Sequence, residues 1–197
     1  MKDCLKDIKK TLAQADIPFA RLDEEADTLR ILIAPEKKND FIAAAVKSHW
    51  KRVKDRSKDL YLYGMEHFLY YRFDEITLIV CCQLACRSTL NGEWVPLDRK
   101  INISAIDRIV KSTSEDIYEP MPEDFLCYLL ARCVYTNQEF TPYDISRIEA
   151  CRKKCDETIL APKIDGVFFH FSDTMLQMID HGEYDHIIDA LWSYSDY

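Results

Sequence analysis

Leu5, Ile8, Leu12 and Ala15 recur three to four apart in an otherwise charged N-terminal stretch. That spacing predicts an amphipathic helix over residues 3–15, ended by the "DIP" turn. Two short apolar runs follow, "PFARL" and "TLRILIA", separated by the acidic "DEEAD". Both read as strands. Pro35 and Glu36 suit the first turn of a second helix, where a missing N–H is harmless and negative charge meets the helix dipole. Its inner face is expected to carry Phe41, Ile42, Ala45, Val46 and His49. The runs "KDLYLYG", "HFLYYRFD" and "ITLIVCCQLAC" are rich in aromatic and β-branched residues, with turn signals at Gly64 and at Asp74 and Glu75. They predict an antiparallel meander, and "LNGEWVPLD" a further turn and short strand.

From about residue 116 the apolar period changes from strand-like to helical. Pro122, Glu123 and Asp124 open a helix with a stripe of Phe125, Leu126, Leu129, Leu130, Cys133 and Val134. Thr141 and Pro142 cap another around Ile145 and Ile148. Ile164, Val167, Phe168, Phe171, Met175 and Met178 mark a third, closed by Gly182, and Tyr184, Ile187, Ile188, Leu191 and Trp192 mark a last one. The expected organisation is an α/β domain over residues 1–115 and an α-helical domain over residues 116–197 packed on it. The serine- and charge-rich "KSTSEDIYEPMPED" is the linker-like stretch between them.

Charge narrows the possible partners. The 34 acidic residues outnumber the 26 basic ones, a formal charge of -8. That balance argues against a protein whose task is to coat nucleic acid or an anionic membrane. The basic island Lys47, Lys51, Arg52, Lys54, Arg56 and Lys58 reads as a helix C-terminus followed by a solvated loop. No run approaches the roughly 18 apolar residues of a spanning helix, and the polar N-terminus has no apolar core of an export signal, so a cytoplasmic location is expected. The eight cysteines form no Cys-x-x-Cys. They read as reduced, mostly buried thiols.

The run from Asp27 to Glu36, "DTLRILIAPE", has an acid, three apolar β-formers and then Ala-Pro-Glu opening a helix. With the aromatic hairpin, the later apolar strand and "PEDFLCYLLARCVY", it resembles the nucleotidyltransferase superfamily over roughly residues 15–150. The similarity is greatest to bacterial members with an α-helical C-terminal half. It implies an α+β fold: a mixed or antiparallel sheet with flanking helices, followed by a helical C-terminal half. It also implies a glycine-serine motif before an Asp-x-Asp pair on one strand and a third carboxylate on a later neighbouring strand. Those carboxylates hold two metal ions that orient a nucleotide triphosphate for in-line displacement. On this chain Thr28 and Arg30 fall where the pair belongs, and Ile79 where the third carboxylate belongs. The first of its four glycines is Gly64, too late for a phosphate cradle.

The resemblance and its departures imply a nucleotidyltransferase-like protein without metal cofactor, catalytically degenerate, in which Thr28 and Arg30 meet a nucleotide or sugar-phosphate ligand, or which engages a protein partner. Arg30 in an ordinary ion pair with Asp27, Glu25 or another acid is the plainer alternative. A second reading is an active enzyme with Mg2+ held by Asp23, Asp27 or Asp74 in a rearranged site. A third is an interaction module presenting Tyr61, Tyr63, Tyr70, Tyr71 and Phe73. Neither a membrane nor a nucleic-acid partner is expected. His181 and His186 are five apart across Gly182, a poor spacing for one metal ion. Cys151 and Cys155 share a helix face beside Arg152, Lys153 and Lys154, cations of the kind that can lower a thiol pKa, but no histidine or other base stands at readable spacing to make a nucleophile.

Overall fold

A computed structural model of the chain describes residues 2–24, 27–53, 61–62, 65–66, 68–73, 76–87, 94–110 and 120–195. The charged, apolar-striped N-terminus forms α1 (Lys2–Gln14), followed by β1 (Phe19–Glu24) and β2 (Thr28–Ile33). A 3-10 turn at Pro35–Lys37 leads into α2 (Lys38–Lys47), and then come β3 (Lys51–Arg52), β4 (Tyr61–Leu62), β5 (Met65–Glu66), β6 (Phe68–Phe73) and β7 (Ile76–Cys81). Five of these strands make one sheet in the order β1-β2-β7-β6-β3, while β4 and β5 pair separately. The β6–β7 hairpin is antiparallel, as the turn signals predict, but β2 and β7 run parallel. The chain between them, which includes α2, is long enough for the crossover that a parallel pair requires. The sheet is therefore mixed.

Strand alternation decides which side chains make the core. Leu29, Ile31 and Ile33 of β2 and Leu78 and Val80 of β7 join Ile8 and Leu12 of α1 and Phe41, Ala44 and Ala45 of α2 in one buried cluster. Tyr71 of β6 packs edge-on against Phe41, ring centroids 5.3 Å apart. A buried Tyr71 is thus core, not part of an adhesive aromatic surface. Tyr63 lies outside the described residues, and of Tyr61, Tyr70 and Phe73 only the strand positions are described. The inner face of α2 differs from expectation. Ala44 is buried and Val46 is 67% exposed, because the stripe runs Phe41, Ala44, Ala45 and α2 ends at Lys47. His49 lies beyond that end with φ of 58°. Of the basic island, Lys54, Arg56 and Lys58 lie outside the described residues.

The chain forms two compact units, Met1–Leu84 with Ile103–Pro120, and Ala85–Asn102 with Met121–Tyr197. The second begins with a hairpin of β8 (Ala85–Arg87) and β9 (Trp94–Pro96). The helix α3 (Arg99–Val110) was not signalled by composition, since isoleucines dominate its apolar positions; Ile101, Ala105 and Ile109 nevertheless bury at helical spacing. Next come α4 (Pro122–Ala131), a π-helical turn at Arg132–Asn137, α5 (Pro142–Arg152), α6 (Glu157–Val167), α7 (Ser172–His181) and α8 (Tyr184–Ser195). Thr141 and Asp144 form a full capping box on α5. The single helix expected through Ile164 and Met178 is two. Phe169 and His170 both adopt left-handed φ, 54° and 63°, and the Ser172 N–H donates to Asp165 Oδ1 to restart the chain as α7. Gly182, with φ of 75°, closes α7 as expected.

The acids that open α4 are buried. Glu123 Oε1 accepts the Asp156 N–H at 2.8 Å, and Asp124 Oδ1 pairs with Lys163 Nζ. Asp124 is completely buried, and among the described residues its Oδ2 has no hydrogen-bond partner. Removing the cation would leave a buried charge unmatched. Lys163→Met is therefore expected to destabilise the protein by about 3–5 kcal/mol, whereas Asp124→Leu together with Lys163→Met should cost much less. Urea unfolding of the three proteins checks this; a single variant no less stable than the double would contradict it.

Seven cysteines have described side chains; all are free, and all but Cys155 are buried. Burial pushes the Cys81 and Cys133 thiols up to about 12 and Cys86 up to about 11. Cys155 is also raised, by its hydrogen bond with Cys151 and then by burial, so the lowering expected from Arg152, Lys153 and Lys154 does not prevail. Only the thiolate alkylates readily. Native protein at pH 8 should stay unlabelled by iodoacetamide at Cys81, Cys86, Cys133 and Cys155 while urea-unfolded protein labels fully, as read by peptide mass spectrometry. Rapid native labelling of Cys81 would overturn this.

Candidate functional site

In β2 the positions alternate, so Thr28, Arg30 and Leu32 stand on the sheet face opposite the one that carries Leu29, Ile31 and Ile33 into the helix-covered core. The parallel pairing sets Thr28 beside Thr77 and Arg30 beside Ile79, and the antiparallel hairpin sets Ile79 beside Tyr70. The three positions singled out from the sequence, Thr28, Arg30 and Ile79, are therefore brought together on one face of two adjacent central strands. Their chemistry is a hydroxyl, a guanidinium and an alkyl group.

Arg30 is half-buried, with its Nε fully enclosed. Its charge reaches the Cys81 thiol, two residues beyond Ile79 on the same face, and partly offsets the effect of burial there. Thr28 Oγ1 donates to Asp27 Oδ1 at 3.1 Å, and the Asp27 carbonyl accepts the Thr77 N–H at 2.7 Å. Asp27 itself is exposed at the tip of the β1–β2 hairpin.

Asp23 is placed differently. The register between β1 and β2 shifts between Arg21 and Asp23: Arg21 pairs with Ile31, but Asp23 pairs with Arg30. That bulge sets Asp23 beside Arg30 on the same face, and Asp23 is only 5% exposed. Across the sheet the row reads Asp23, Arg30, Ile79, Tyr70. The sequence offers an ion pair of Arg30 with Asp27, Glu25 or another acid, and Asp23 as a metal-binding carboxylate, but does not single out Asp23 as the residue beside Arg30, because a bulge changes side-chain parity without any signal in residue type. No glycine marks it.

Of the three carboxylates considered for Mg2+, Asp23 adjoins Arg30, Asp27 adjoins Thr28, and Asp74 lies outside the described residues. Among the described residues no group of three or more His, Cys, Asp or Glu side chains is placed to hold a metal ion. A guanidinium within the row repels a cation, so the residues present on this face do not fit the metal pair that the sequence resemblance implies. His181 is at the end of α7 and His186 in α8, both exposed.

Neither a protein-family model nor a curated relative matches the sequence. Among solved structures the chain is similar to the antibiotic-resistance factor ANT(2'')-Ia, an aminoglycoside nucleotidyltransferase, over 91% of this chain and 95% of that one, with a TM-score of 0.51 and 9% identity. The likeness is one of fold: an α+β chain with a mixed five-stranded sheet, flanking helices and a helical C-terminal half, of nucleotidyltransferase-like architecture.

Proposed function

We propose that this nucleotidyltransferase-like chain binds a phosphate-bearing ligand, a nucleotide or a sugar phosphate, at Thr28 and Arg30 without a divalent cation, and that it does not carry out magnesium-dependent nucleotidyl transfer. The observation that supports the reading is the placement of a half-buried arginine on an interior strand of the sheet, flanked by Ile79 where the resemblance implies a carboxylate. A guanidinium is permanently charged, and its planar fork matches phosphate oxygens. The Thr28 hydroxyl, two residues away on the same face, adds a neutral donor and acceptor. The nucleotidyl chemistry of the neighbour in fold favours nucleotides as the first ligands to try.

Removing Arg30 should cost a charged hydrogen bond. Calorimetric titration of nucleotides and sugar phosphates into wild type and Arg30→Ala, in chelator, is expected to show a loss of about 1.5–3 kcal/mol for the variant. Magnesium should leave wild-type binding unchanged or weaken it, since it competes with the guanidinium for the same oxygens. Equal affinities in both proteins would contradict the reading and favour a protein-interaction module. Magnesium-dependent release of pyrophosphate from a nucleotide triphosphate, abolished by Asp23→Asn or Asp27→Asn, would instead establish an active enzyme with rearranged carboxylates.

A further inference from the structure

A phosphate-binding arginine does not by itself require the bulge in β1. Without it, strict alternation would put Asp23 on the face of Phe19 and Arg21, the side of the helix-covered core. With it, Leu22 and Asp23 together oppose Arg30, and Asp23 comes onto the Arg30 face. Directly paired residues on neighbouring strands have Cβ atoms about 4.5–5.5 Å apart, within reach of an Asp and an Arg side chain. A carboxylate 5% exposed needs a cation or several donors to remain charged. The residue the register supplies is a cation.

Resting on the reading that a ligand phosphate meets this face, we propose that Arg30 is the tethered cation of a carboxylate–cation–phosphate array, in which Asp23 plays toward the guanidinium the part that a metal-binding carboxylate plays toward its ion. The guanidinium has five N–H donors in one plane. Asp23 takes one edge and orients the fork, and the remaining donors face the ligand phosphate. Asp23 is then a positioning residue, contributed by β1 and lying across Arg30 from Ile79. The array is neutral before the ligand arrives, and its cation cannot be removed by chelation. It also follows that a carboxylate in place of Arg30 would stand beside Asp23 as the second of two anionic ligands, with the Thr28 hydroxyl nearby.

The test converts the array. Mn2+ binding, read by the loss of the free-ion electron paramagnetic resonance signal, is measured for wild type, Arg30→Asp, Arg30→Asn and Asp23→Asn combined with Arg30→Asp. Arg30→Asp is expected to bind Mn2+ at least about tenfold more tightly than Arg30→Asn, and the added Asp23→Asn to abolish that gain, the scale on which removing a group that supports a metal site acts. Equal Mn2+ affinity with and without Asp23 would overturn the proposal. Should Arg30→Asp not fold with or without Mn2+, the urea midpoints of Asp23→Asn, Arg30→Gln and their combination decide. Asp23→Asn must lower the midpoint less in the Arg30→Gln background than in wild type; strictly additive shifts would overturn the proposal. Neither readout contains a phosphate ligand, so the array can fail while ligand binding stands, and the reverse.

Discussion

Strand β2 has an antiparallel neighbour on one side and a parallel neighbour on the other, and both of its faces carry fully buried residues, Ile31 and Ile33 on one and Leu32 on the other. A strand held in this way cannot slip. Moving it by one residue would put the Arg30 guanidinium among Leu12, Phe41 and Leu78 and bring Leu29 or Ile31 out of the core, a cost comparable with the whole stability of an ordinary domain. The register that follows is what sets Thr28, Arg30 and Ile79 on one face. The parallel pairing with β7 contributes Ile79, and the bulged pairing with β1 contributes Asp23.

That constraint also separates fold from chemistry. A nucleotidyltransferase-like sheet needs apolar alternation and a crossover between β2 and β7, and neither depends on the identity of the residues at positions 28, 30 and 79. Such a face can therefore carry carboxylates or other groups on the same scaffold. The choice has a definite electrostatic sense. Carboxylates on this face would attract a divalent ion and through it a phosphate, whereas a guanidinium attracts the phosphate directly. At an effective dielectric of about 20, unit charges about 4 Å apart interact by about 4 kcal/mol before desolvation is counted, so the sign of the charge at position 30 outweighs any neutral contact nearby. Thr28, bonded to Asp27, can refine such a site but cannot set its polarity.

Much of the architecture was legible because it rests on local rules. The period of Leu5, Ile8 and Leu12, the Pro-Glu start of the 3-10 turn that leads into α2, the capping box at Thr141 and the αL glycine at Gly182 each act within a few residues. The errors have physical causes. Phe168, Phe171 and Met175 continue a helical period across a break that two left-handed residues impose, and hydrophobic periodicity is blind to that strain. The isoleucines of α3 favour strands in isolation, and packing overrides them. Glu123 and Asp124 look like solvated N-terminal acids until Lys163 and the Asp156 amide arrive from elsewhere in the chain. At the candidate site the positions of Thr28 and Arg30 were readable, because strand alternation is a local property. The pairing of Asp23 with Arg30 was not, since it depends on one extra residue in the β1 ladder.

In the proposed site Arg30, not a metal ion, meets the ligand's phosphate. The most direct measurement is an experimental structure of the protein grown with a saturating nucleotide in the presence of a chelator. The account predicts phosphate oxygens about 3 Å from the Arg30 guanidinium, with Asp23 on the opposite edge of the fork and no metal between them. A nucleotide bound elsewhere on the chain, or one that binds at this face only when magnesium is supplied and then through an ion on Asp23 or Asp27, would contradict it.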